Sequence, residues 1–568
     1  MKVNFVLIHH NLSRAIHSIS SKLEFNMKSI FILTIVLFFS GKTIAQPFTH
    51  QDTLRGSVTP ERAWWDLSYY DLAFEFDIAK KSIKGTNTIY FFVTIPQQVM
   101  QIDLQEPMAI KQVDYKGQKL NFTRNGNVYL IRFPYPLVSG DRDKITISYE
   151  GVPVEAVRPP WDGGLTWSQD PKGNPFVATS CQGLGSSVWW PCKDHMYDEP
   201  DSMLIRATVP SSLMEVSNGR LRQIEYLSDG RKTYHWFVSN PINNYGVNAN
   251  VGRYTHWSDT IHGEKGILDL DFYVLQDNYD KAREHFKDAQ RTLKAFEYWF
   301  GPYPFYADGY KLVEVPYLGM EHQSSVTYGN EYKMGYLGND LSATGWGLKW
   351  DFIIVHESAH EWWANSITYK DMADMWIHES FANYAESLFL DYHYGPKAAS
   401  EYVIGTRKLI LNNKPIIGPY NVNQEGSGDM YPKGGNMLHT LRTWIGNDEK
   451  WRSILRGLQW EFYHKTVTTA DIENYISKQM GVDLTTFFNQ YLRDTRIPTL
   501  EYELKGKILK YRYTKTVTGF SMPLNVSVDG GAKFTITPVD QWQEYKLEKS
   551  AKTFSVDPNF YVLYKKME

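Results

Sequence analysis

Near the middle of the chain the sequence reads Ile353-Ile354-Val355-His356-Glu357-Ser358-Ala359-His360-Glu361-Trp362-Trp363. On a helix, residues four apart lie one turn above each other, so His356 and His360 would direct their imidazoles to one place. Ile353, Glu357 and Trp363 fall on the same face at helical spacing. Two histidines so placed predict a tetrahedral zinc site that needs a third protein ligand and keeps one position for water.

A second motif offers the third ligand. The sequence continues Trp376-Ile377-His378-Glu379-Ser380-Phe381-Ala382-Asn383, with eighteen residues between His360 and Glu379. Glu379 opens an amphipathic pattern that predicts a helix ending near Gly395, and a helix–loop–helix of this length can return Glu379 to the histidine pair. Glu386 lies two turns further on the same face, where it would accept a hydrogen bond from a ligand histidine. We therefore predict one Zn²⁺ per chain, held by His356, His360 and Glu379.

Glu357 is predicted to act as a base rather than as a ligand. It would lie beside the zinc-bound water, whose pKa falls from 15.7 towards about 7 on zinc, and could take its proton. The alternative is a helix with two satisfied surface histidines. The HExxH spacing and the later Glu379 disfavour this alternative, because the two features seldom occur together by chance.

The pattern on either side of these motifs predicts a multidomain α+β protein. Apolar residues alternate with period two from Tyr70 to about Arg253, as in half-buried strands. Helical spacing begins near residue 279 and dominates to about Leu492, including a helix with a Thr468/Asp471 capping box that should end at Gly481. Alternation returns after Pro498. The expected domains are a β domain over 46–273, an α-rich catalytic domain over 274–496 and a small β domain over 497–568.

Composition and charge exclude several classes of protein. The chain has 568 residues, of which 42% are hydrophobic and 22% charged, which is typical of globular proteins. A net charge of −3 without a basic run argues against nucleic-acid binding. Two cysteines, Cys181 and Cys192, are too few for a disulfide scaffold or a cysteine-rich metal module. Whether these two form a disulfide or stay as buried thiols is left open.

The N-terminal region predicts export. Met27-Lys28, the apolar run Ile30 to Phe39 and the small residue Ala45 before Gln46 correspond to the three regions of a secretory signal peptide over 27–45. Residues 1–26 are polar and would lie upstream of a true start at Met27. An N-terminal membrane anchor is the alternative, but the apolar run is short for a bilayer. We expect a periplasmic or extracellular protein without stable membrane insertion after cleavage.

The HExxH motif and the segment around Glu379 resemble the aminopeptidase N / leukotriene-hydrolase family of zinc metallopeptidases. Three further segments are similar to motifs of that family and occur in the same order: Cys181-Gln182-Gly183 with Trp189-Trp190-Pro191-Cys192-Lys193-Asp194, then Leu318-Gly319-Met320-Glu321-His322, then Tyr431-Pro432-Lys433-Gly434. The resemblance covers nearly all of residues 60–560. It implies an N-terminal saddle-like β domain, a thermolysin-like catalytic domain and a C-terminal β-sandwich-like domain.

The resemblance also implies roles for individual residues. Glu321 and Gln182 would hold the free α-amino group of a peptide, and Tyr431 would donate its hydroxyl to the oxyanion. Met320 and the backbone near Gly319 would line the pocket for the first side chain and the extended peptide. Two positions depart from the family pattern, Leu318 for Gly and His322 for Asn. The length after Tyr431 leaves no room for the large C-terminal helical domain of many relatives, so a more open cleft is expected.

Taken together, these implications describe an exported zinc aminopeptidase acting on peptides with a free N-terminus. A zinc endopeptidase and the epoxide-hydrolysing variation of the family remain enzyme alternatives, although Glu321 argues against the endopeptidase because an internal bond offers no amine. A binding module that keeps the fold without turnover is the alternative from another class. The oligomeric state and the preferred N-terminal residue stay undetermined.

Overall fold

The alternating sequence of the N-terminal part folds into three sheets. A computed structural model describes residues 48–568, and the predicted signal peptide at 27–45 lies outside them. Two short helices, α1 (His50–Gly56) and α2 (Pro60–Ala63), precede the strands. The strands are β1 (Trp65–Asp77), β2 (Ser82–Val93), β3 (Gln97–Asp103), β4 (Ala109–Tyr115), β5 (Gln118–Lys119), β6 (Asn121–Asn125), β7 (Val128–Leu137), β8 (Arg142–Gly151), β9 (Gly164–Gln169), β10 (Pro175–Ser180), β11 (Ser202–Pro210), β12 (Met214–Val216), β13 (Arg220–Tyr226), β14 (Arg231–Val238) and β15 (Asn250–Gly252).

The largest of these sheets has eight strands in the order β13-β14-β11-β1-β2-β8-β4-β5. A four-stranded sheet, β12-β15-β10-β9, carries the segment that leads to Gln182, and β3-β7-β6 form a third sheet. In β1 the side chains alternate between buried and half-exposed, as the period-two pattern predicts. The prediction of a β-rich N-terminal domain is confirmed.

The middle of the chain combines a five-stranded sheet with helices. Its sheet has the order β16-β17-β18-β20-β19. The strands are β16 (Tyr254–Gly263), β17 (Gly266–Leu275), β18 (Tyr310–Glu314), β19 (Gly319–Met320) and β20 (Val326–Tyr328), with a separate pair β21 (Ile367–Tyr369) and β22 (Lys465–Val467). The helices are α3 (Tyr279–His285), α4 (Lys287–Phe300), α5 (Phe352–Ala359), α6 (Trp376–Tyr394), α7 (Pro396–Gly405), α8 (Pro432–Ile445), α9 (Asp448–Glu461), α10 (Thr469–Met480) and α11 (Thr485–Leu492). The capping box at Thr468 and the end of α10 at Gly481 are confirmed.

Two features differ from the sequence expectations. Strand β17 pairs in parallel with β18, so the sheet of the catalytic region begins near Tyr254 and crosses the expected boundary at 273/274. Pattern alone did not show this because β16 and β17 alternate like the strands before them. Trp363 is also not on the HExxH helix, since α5 ends at Ala359 and Trp363 has non-helical angles, φ −122° and ψ 62°. This turn directs the carbonyl of Trp363 back to His360.

The C-terminal part is a pair of small sheets. The strands are β23 (Thr499–Lys505), β24 (Ile508–Thr514), β25 (Leu524–Val528), β26 (Phe534–Ile536), β27 (Gln543–Lys546), β28 (Phe554–Val556) and β29 (Leu563–Lys566). They form the sheets β27-β24-β23-β29 and β26-β25-β28. Between residues 493 and 568 the structure contains strands and loops and no α-helix. The predicted order of β-rich, helical and β-rich parts is confirmed.

Two further observations concern the cysteines and membranes. Cys181 and Cys192 are both buried free thiols, and burial raises the pKa of each. Over residues 48–568, every helix falls short of the length and apolar content needed to cross a bilayer.

Candidate metal centre and active site

Three side chains from α5 and α6 converge on one point. Oε2 of Glu379 lies 3.6 Å from Nε2 of His356 and 3.4 Å from Nε2 of His360. The ligand atoms of the three residues all lie within 4.8 Å of one another, and all three side chains are buried. His356 lies on α5 and His360 is the C-terminal cap of that helix, so the two imidazoles lie one turn apart, and Glu379 comes from the first turn of α6.

The other nitrogen of each imidazole is held by the protein. Nδ1 of His356 lies 2.9 Å from Oε1 of Glu386, and that carboxylate also accepts from Asn383 (3.0 Å) and from the hydroxyl of Tyr402 (2.7 Å). Nδ1 of His360 lies 3.0 Å from the carbonyl oxygen of Trp363. Because Nδ1 is the donor in both contacts, each ring, when neutral, turns an Nε2 lone pair towards Glu379.

This donor set fits a zinc ion. Oε2 of Glu379 is buried and accepts no hydrogen bond from any described residue, although it faces two imidazole nitrogens. A buried carboxylate oxygen without a donor is costly unless a cation occupies the place. Burial lowers the pKa of His360, but the negative charge of Glu379 has the larger effect and raises the pKa to about 9. The point between these side chains therefore attracts a positive charge. Two imidazoles and one carboxylate are a common ligand set of catalytic zinc.

Glu357 lies next to this cluster and faces the cavity. Burial raises the pKa of its carboxyl to about 7, with His356 opposing the rise. The close approach of α5 to β19 depends on Gly319, because a Cβ there would lie 2.4 Å from Cγ2 of Ile353 and 3.4 Å from Cγ of Glu357. Gly319 therefore lets the backbone of β19 lie against the helix that carries Glu357.

Tyr431 reaches the same cavity from the start of α8. Its ring lies 6.0 Å from the ring of His356 and is half-buried. Burial and the negative charge of Glu379 raise its pKa well above 10, so the phenol keeps its proton. Helix α8 comes this close to α6 because Gly434 and Gly435 have no side chains, and Cβ atoms there would lie 1.9 Å from Oγ of Ser380 and 2.3 Å from Oδ1 of Asn383.

The structure places Gln182 on the metal cluster. Its Nε2 donates to Oε1 of Glu379 at 2.8 Å, which leaves the amide oxygen as its free acceptor. Asn423 holds the loop by donating to the carbonyl of Gly183 at 3.0 Å. Gln182 comes from the N-terminal β region and Asn423 from the helical region, so the packing of the two regions positions this amide.

Glu321 is held by Tyr245 and His378, to which the sequence analysis assigned no role. The hydroxyl of Tyr245 donates to Oε1 of Glu321 at 3.1 Å and lies 3.5 Å from Nδ1 of His378. Nε2 of His378 accepts from the backbone N–H of Tyr369 at 3.0 Å, so a neutral ring carries its proton on Nδ1 and gives it towards Tyr245. The hydroxyl proton of Tyr245 is then left for Glu321. Burial raises the pKa of Glu321, and the charge of His360 opposes that rise.

These side chains surround one cavity of about 430 Å³. The described lining contains no lysine or arginine. It includes five glutamates, which are Glu321, Glu357, Glu379, Glu386 and Glu425. Gly319, Met320, Gln182 and Tyr431 also line it, so all the residues singled out in the sequence come together here. Glu425 and Trp161 were missed because each lies in a loop without a motif.

The two departures from the family pattern lie differently in this cavity. Leu318 lines it, whereas His322 is buried behind it with Nδ1 3.2 Å from Oγ1 of Thr327. Burial lowers the pKa of His322 to about 3, so the ring is neutral and adds no charge beside Glu321.

Comparisons with known proteins agree with this geometry. Residues 284–491 match the sequence model of the peptidase family M1 domain. "Probable aminopeptidase 1" of Sulfurisphaera tokodaii is 21% identical over 70% of this chain and 52% of its own length, and leukotriene A-4 hydrolase of Xenopus laevis is 23% identical over 74% and 69%. An M1 zinc metallopeptidase mutant from Deinococcus radiodurans, solved with a Tyr-Ser-Ala substrate, superposes with a TM-score of 0.64 at 19% identity, covering 77% of this chain and 96% of that one. The chain spans about half of the length of the first of these relatives.

Proposed function

Because the chain carries a peptidase family M1 domain, we propose that it is a zinc-dependent aminopeptidase that releases N-terminal residues from peptides. The observation that carries this proposal is the position of Glu321, a buried carboxylate that lines the same cavity as the His356, His360 and Glu379 cluster. A buried anion beside a metal site demands a cationic partner, and a peptide's free α-amino group is one.

Five residues of the cavity have a defined task in this reaction. Zinc held by His356, His360 and Glu379 would supply Lewis-acid polarisation of the scissile carbonyl and make water nucleophilic near neutral pH. Glu357 takes the proton of the attacking water and returns it to the leaving amine, as its pKa of about 7 suits. Tyr431 keeps its proton and donates a hydrogen bond to the oxyanion.

The amine end of the substrate is positioned by two side chains. Glu321 forms an ion pair with the α-ammonium group, and the free amide oxygen of Gln182 accepts a second hydrogen bond from it. Met320 and Gly319 line the same cavity. We assign Met320 to the pocket for the first side chain and the backbone at Gly319 to contact with the extended peptide. An internal peptide bond would leave Glu321 buried without a partner, which disfavours endopeptidase activity.

The test is a comparison of free and blocked substrates. We expect the chain to hydrolyse aminoacyl chromogenic amides and free-amine peptides, and to lose that activity with a chelator. An N-acetylated copy of the same peptide should be cleaved at least about 100-fold more slowly, because burying an unpaired carboxylate costs several kcal/mol. Equal rates on the two peptides would contradict the aminopeptidase proposal, and activity that survives the chelator would contradict the metal.

Export is a further part of the proposal. It is supported by the apolar run from Ile30 to Phe39 and by Ala45 before Gln46. Amino-terminal sequencing of the protein from a periplasmic or culture-supernatant fraction should give a chain that begins near Gln46. A chain that keeps Met27 and stays in the cytosolic fraction would contradict export.

A further inference from the structure

Helix α1 (His50–Gly56) lies before residue 60, where the resemblance to the zinc metallopeptidase family begins, and the reaction proposed above gives it no task. Its C-terminal end is nevertheless fixed to the N-terminal β region. Nη1 of Arg62 donates to the carbonyl oxygens of Arg55 (3.2 Å) and Ser57 (2.6 Å). Arg62 is itself fully buried and forms an ion pair with Asp103 at 2.8 Å. The end of α1 is therefore held in one position.

The turn that carries Gln182 packs against the side chain of Arg55. Gly185 N donates to the carbonyl oxygen of Cys181 at 2.7 Å, which closes this turn. Nη2 of Arg55 lies 3.3 Å from Oδ2 of Asp194, and both side chains are largely buried. A Cβ at Gly185 would lie 1.9 Å from the same Nη2 and 2.3 Å from Oδ2 of Asp194. The guanidinium therefore covers the turn, and its ion pair holds it there.

The last residue of α1 supports the same turn from its other side. A Cβ at Gly56 would lie 2.2 Å from the carbonyl carbon of Val422 and 2.4 Å from the backbone nitrogen of Asn423. Asn423 in turn donates to the carbonyl oxygen of Gly183 at 3.0 Å. Because Gly56 has no side chain, α1 contacts this loop directly. Both supports of the turn around Gln182 thus involve the end of α1.

A small cavity of about 40 Å³ lies between these contacts. Arg55, Gly56, Gly183 and Tyr245 are among the residues that line it. The hydroxyl of Tyr245 donates to Glu321 at 3.1 Å on the side of the substrate amine. The end of α1 therefore closes a space that lies behind both groups to which amine binding is assigned.

We propose that Arg55 is a positioning residue for the amine-binding end of the catalytic cavity and acts through the turn that carries Gln182. Arg55 does not line the catalytic cavity. It keeps the turn where Gln182 donates to Glu379, so that the free amide oxygen of Gln182 faces the amine. Without the guanidinium, Asp194 becomes a buried carboxylate without its ion-pair partner, and space opens beside the turn. This inference rests on the proposed aminopeptidase function and adds to it the segment that fixes the amine site.

The test uses Arg55→Met, which removes the charge and keeps much of the length of the side chain. With aminoacyl chromogenic amides, KM should rise by about 3- to 10-fold, as for one weakened hydrogen bond, while kcat and zinc content stay within about 2-fold. Arg55→Lys can keep the ion pair and should show a smaller rise. Arg206→Met is the matched control, because Arg206 forms an ion pair with Asp71 (2.6 Å) on the eight-stranded sheet and lines neither cavity.

A double variant separates positioning from a general loss of stability. Gln182→Ala alone should raise KM because one acceptor for the amine is lost. If Arg55 acts through Gln182, adding Arg55→Met to that variant should raise KM by less than about 2-fold more, since residues that act through one another are not additive. The full rise of the single variant on top of Gln182→Ala, or a lower melting temperature of Arg55→Met with unchanged KM, would overturn the positioning role.

The outcomes also separate this inference from the function beneath it. Turnover of the amide by the unmodified chain tests the aminopeptidase proposal alone. Calorimetry with a free-amine dipeptide in the Glu357→Gln background repeats the comparison without turnover, and the same weakening by Arg55→Met is expected. Equal affinities with and without Arg55→Met in that background would overturn the role of Arg55 and leave the aminopeptidase proposal in place.

Discussion

Glu357 combines the position and the acidity that a base at neutral pH needs. It lines the catalytic cavity beside His356, and burial raises its pKa to about 7. We expect Glu357→Gln to lower kcat by about 100- to 10,000-fold, the usual contribution of general acid–base catalysis. Zinc content should be unchanged because Glu357 is not a ligand. Steady-state kinetics and elemental analysis of the same sample check both statements, and near-normal turnover would rule out the assigned role.

The acidic carboxyl groups of the cavity also predict a pH dependence. In the proposed reaction Glu357 must be ionised to accept a proton, and Glu321 must be ionised to bind an ammonium group. Burial raises the pKa of both above the ordinary 4.5. As pH falls towards and below 7 Glu357 takes up a proton, and Glu321 is also protonated at a higher pH than an ordinary glutamate, so kcat/KM should decline well above pH 4.5. A kcat/KM that stays constant from pH 7 down to pH 4.5 would contradict the raised pKa values of these two carboxyl groups.

Tyr245 is expected to matter for substrate binding more than for chemistry. Its hydroxyl donates to Glu321 at 3.1 Å and lies 3.5 Å from Nδ1 of His378. A hydrogen bond to a charged group contributes about 1.5–3 kcal/mol, so Tyr245→Phe should raise KM for free-amine substrates by about 10- to 100-fold with a smaller change in kcat. A variant with unchanged KM and a large loss of kcat would show that Tyr245 does not position Glu321.

At the scale of single residues, the sequence predicts contacts between residues that are close in the chain and misses contacts between residues that are far apart in it. His356, Glu357 and His360 lie within one helical turn, so their spacing alone indicates that they meet. Tyr245 reaches Glu321 across 76 positions of sequence, and Gln182 reaches Glu379 across 197. Resemblance to a family supplied Gln182, but no pattern around Tyr245 points to its partner.

Among the elements, the contact between α6 and α8 determines where Tyr431 lies in the cavity. A Cβ at position 434 would lie 1.9 Å from Oγ of Ser380, which itself donates to the carbonyl of Met430 at 2.7 Å. Gly434→Ala should therefore push the helices apart, cost about 1–3 kcal/mol of folding free energy and lower kcat through a displaced Tyr431. Gly428→Ala, with open space around its Cβ, is the matched control for thermal unfolding. Equal melting temperatures for the two variants would contradict this account.

The boundaries of helices and sheets show a different limit to what the sequence predicts. The capping box of α10 is a local signal, and both ends of that helix were predicted correctly. Strands β16 and β17 have the same alternation as the strands before them, and only their pairing with β18 assigns them to the sheet of the catalytic region. Pairing between distant strands is set by tertiary packing, which composition and periodicity do not encode.

For the whole molecule, the active site depends on two regions that pack together. The N-terminal β region contributes Gln182 and Tyr245, and the helical region contributes the metal cluster, Glu321 and Tyr431. An ion shared by α5 and α6 stabilises the folded chain over the unfolded one. Removal of the metal by a chelator should therefore lower the melting temperature, and stoichiometric zinc should restore it. Identical melting curves with and without metal would contradict a bound ion at this place.

The most direct measurement is the zinc content of the purified chain beside that of Glu379→Gln. The geometry of His356, His360 and Glu379 predicts one zinc per unmodified chain, and a content well below one in the variant after the same dialysis. The variant should also lose hydrolysis of aminoacyl amides. Absence of zinc from the unmodified chain after supplementation, or equal zinc in both proteins, would contradict the account.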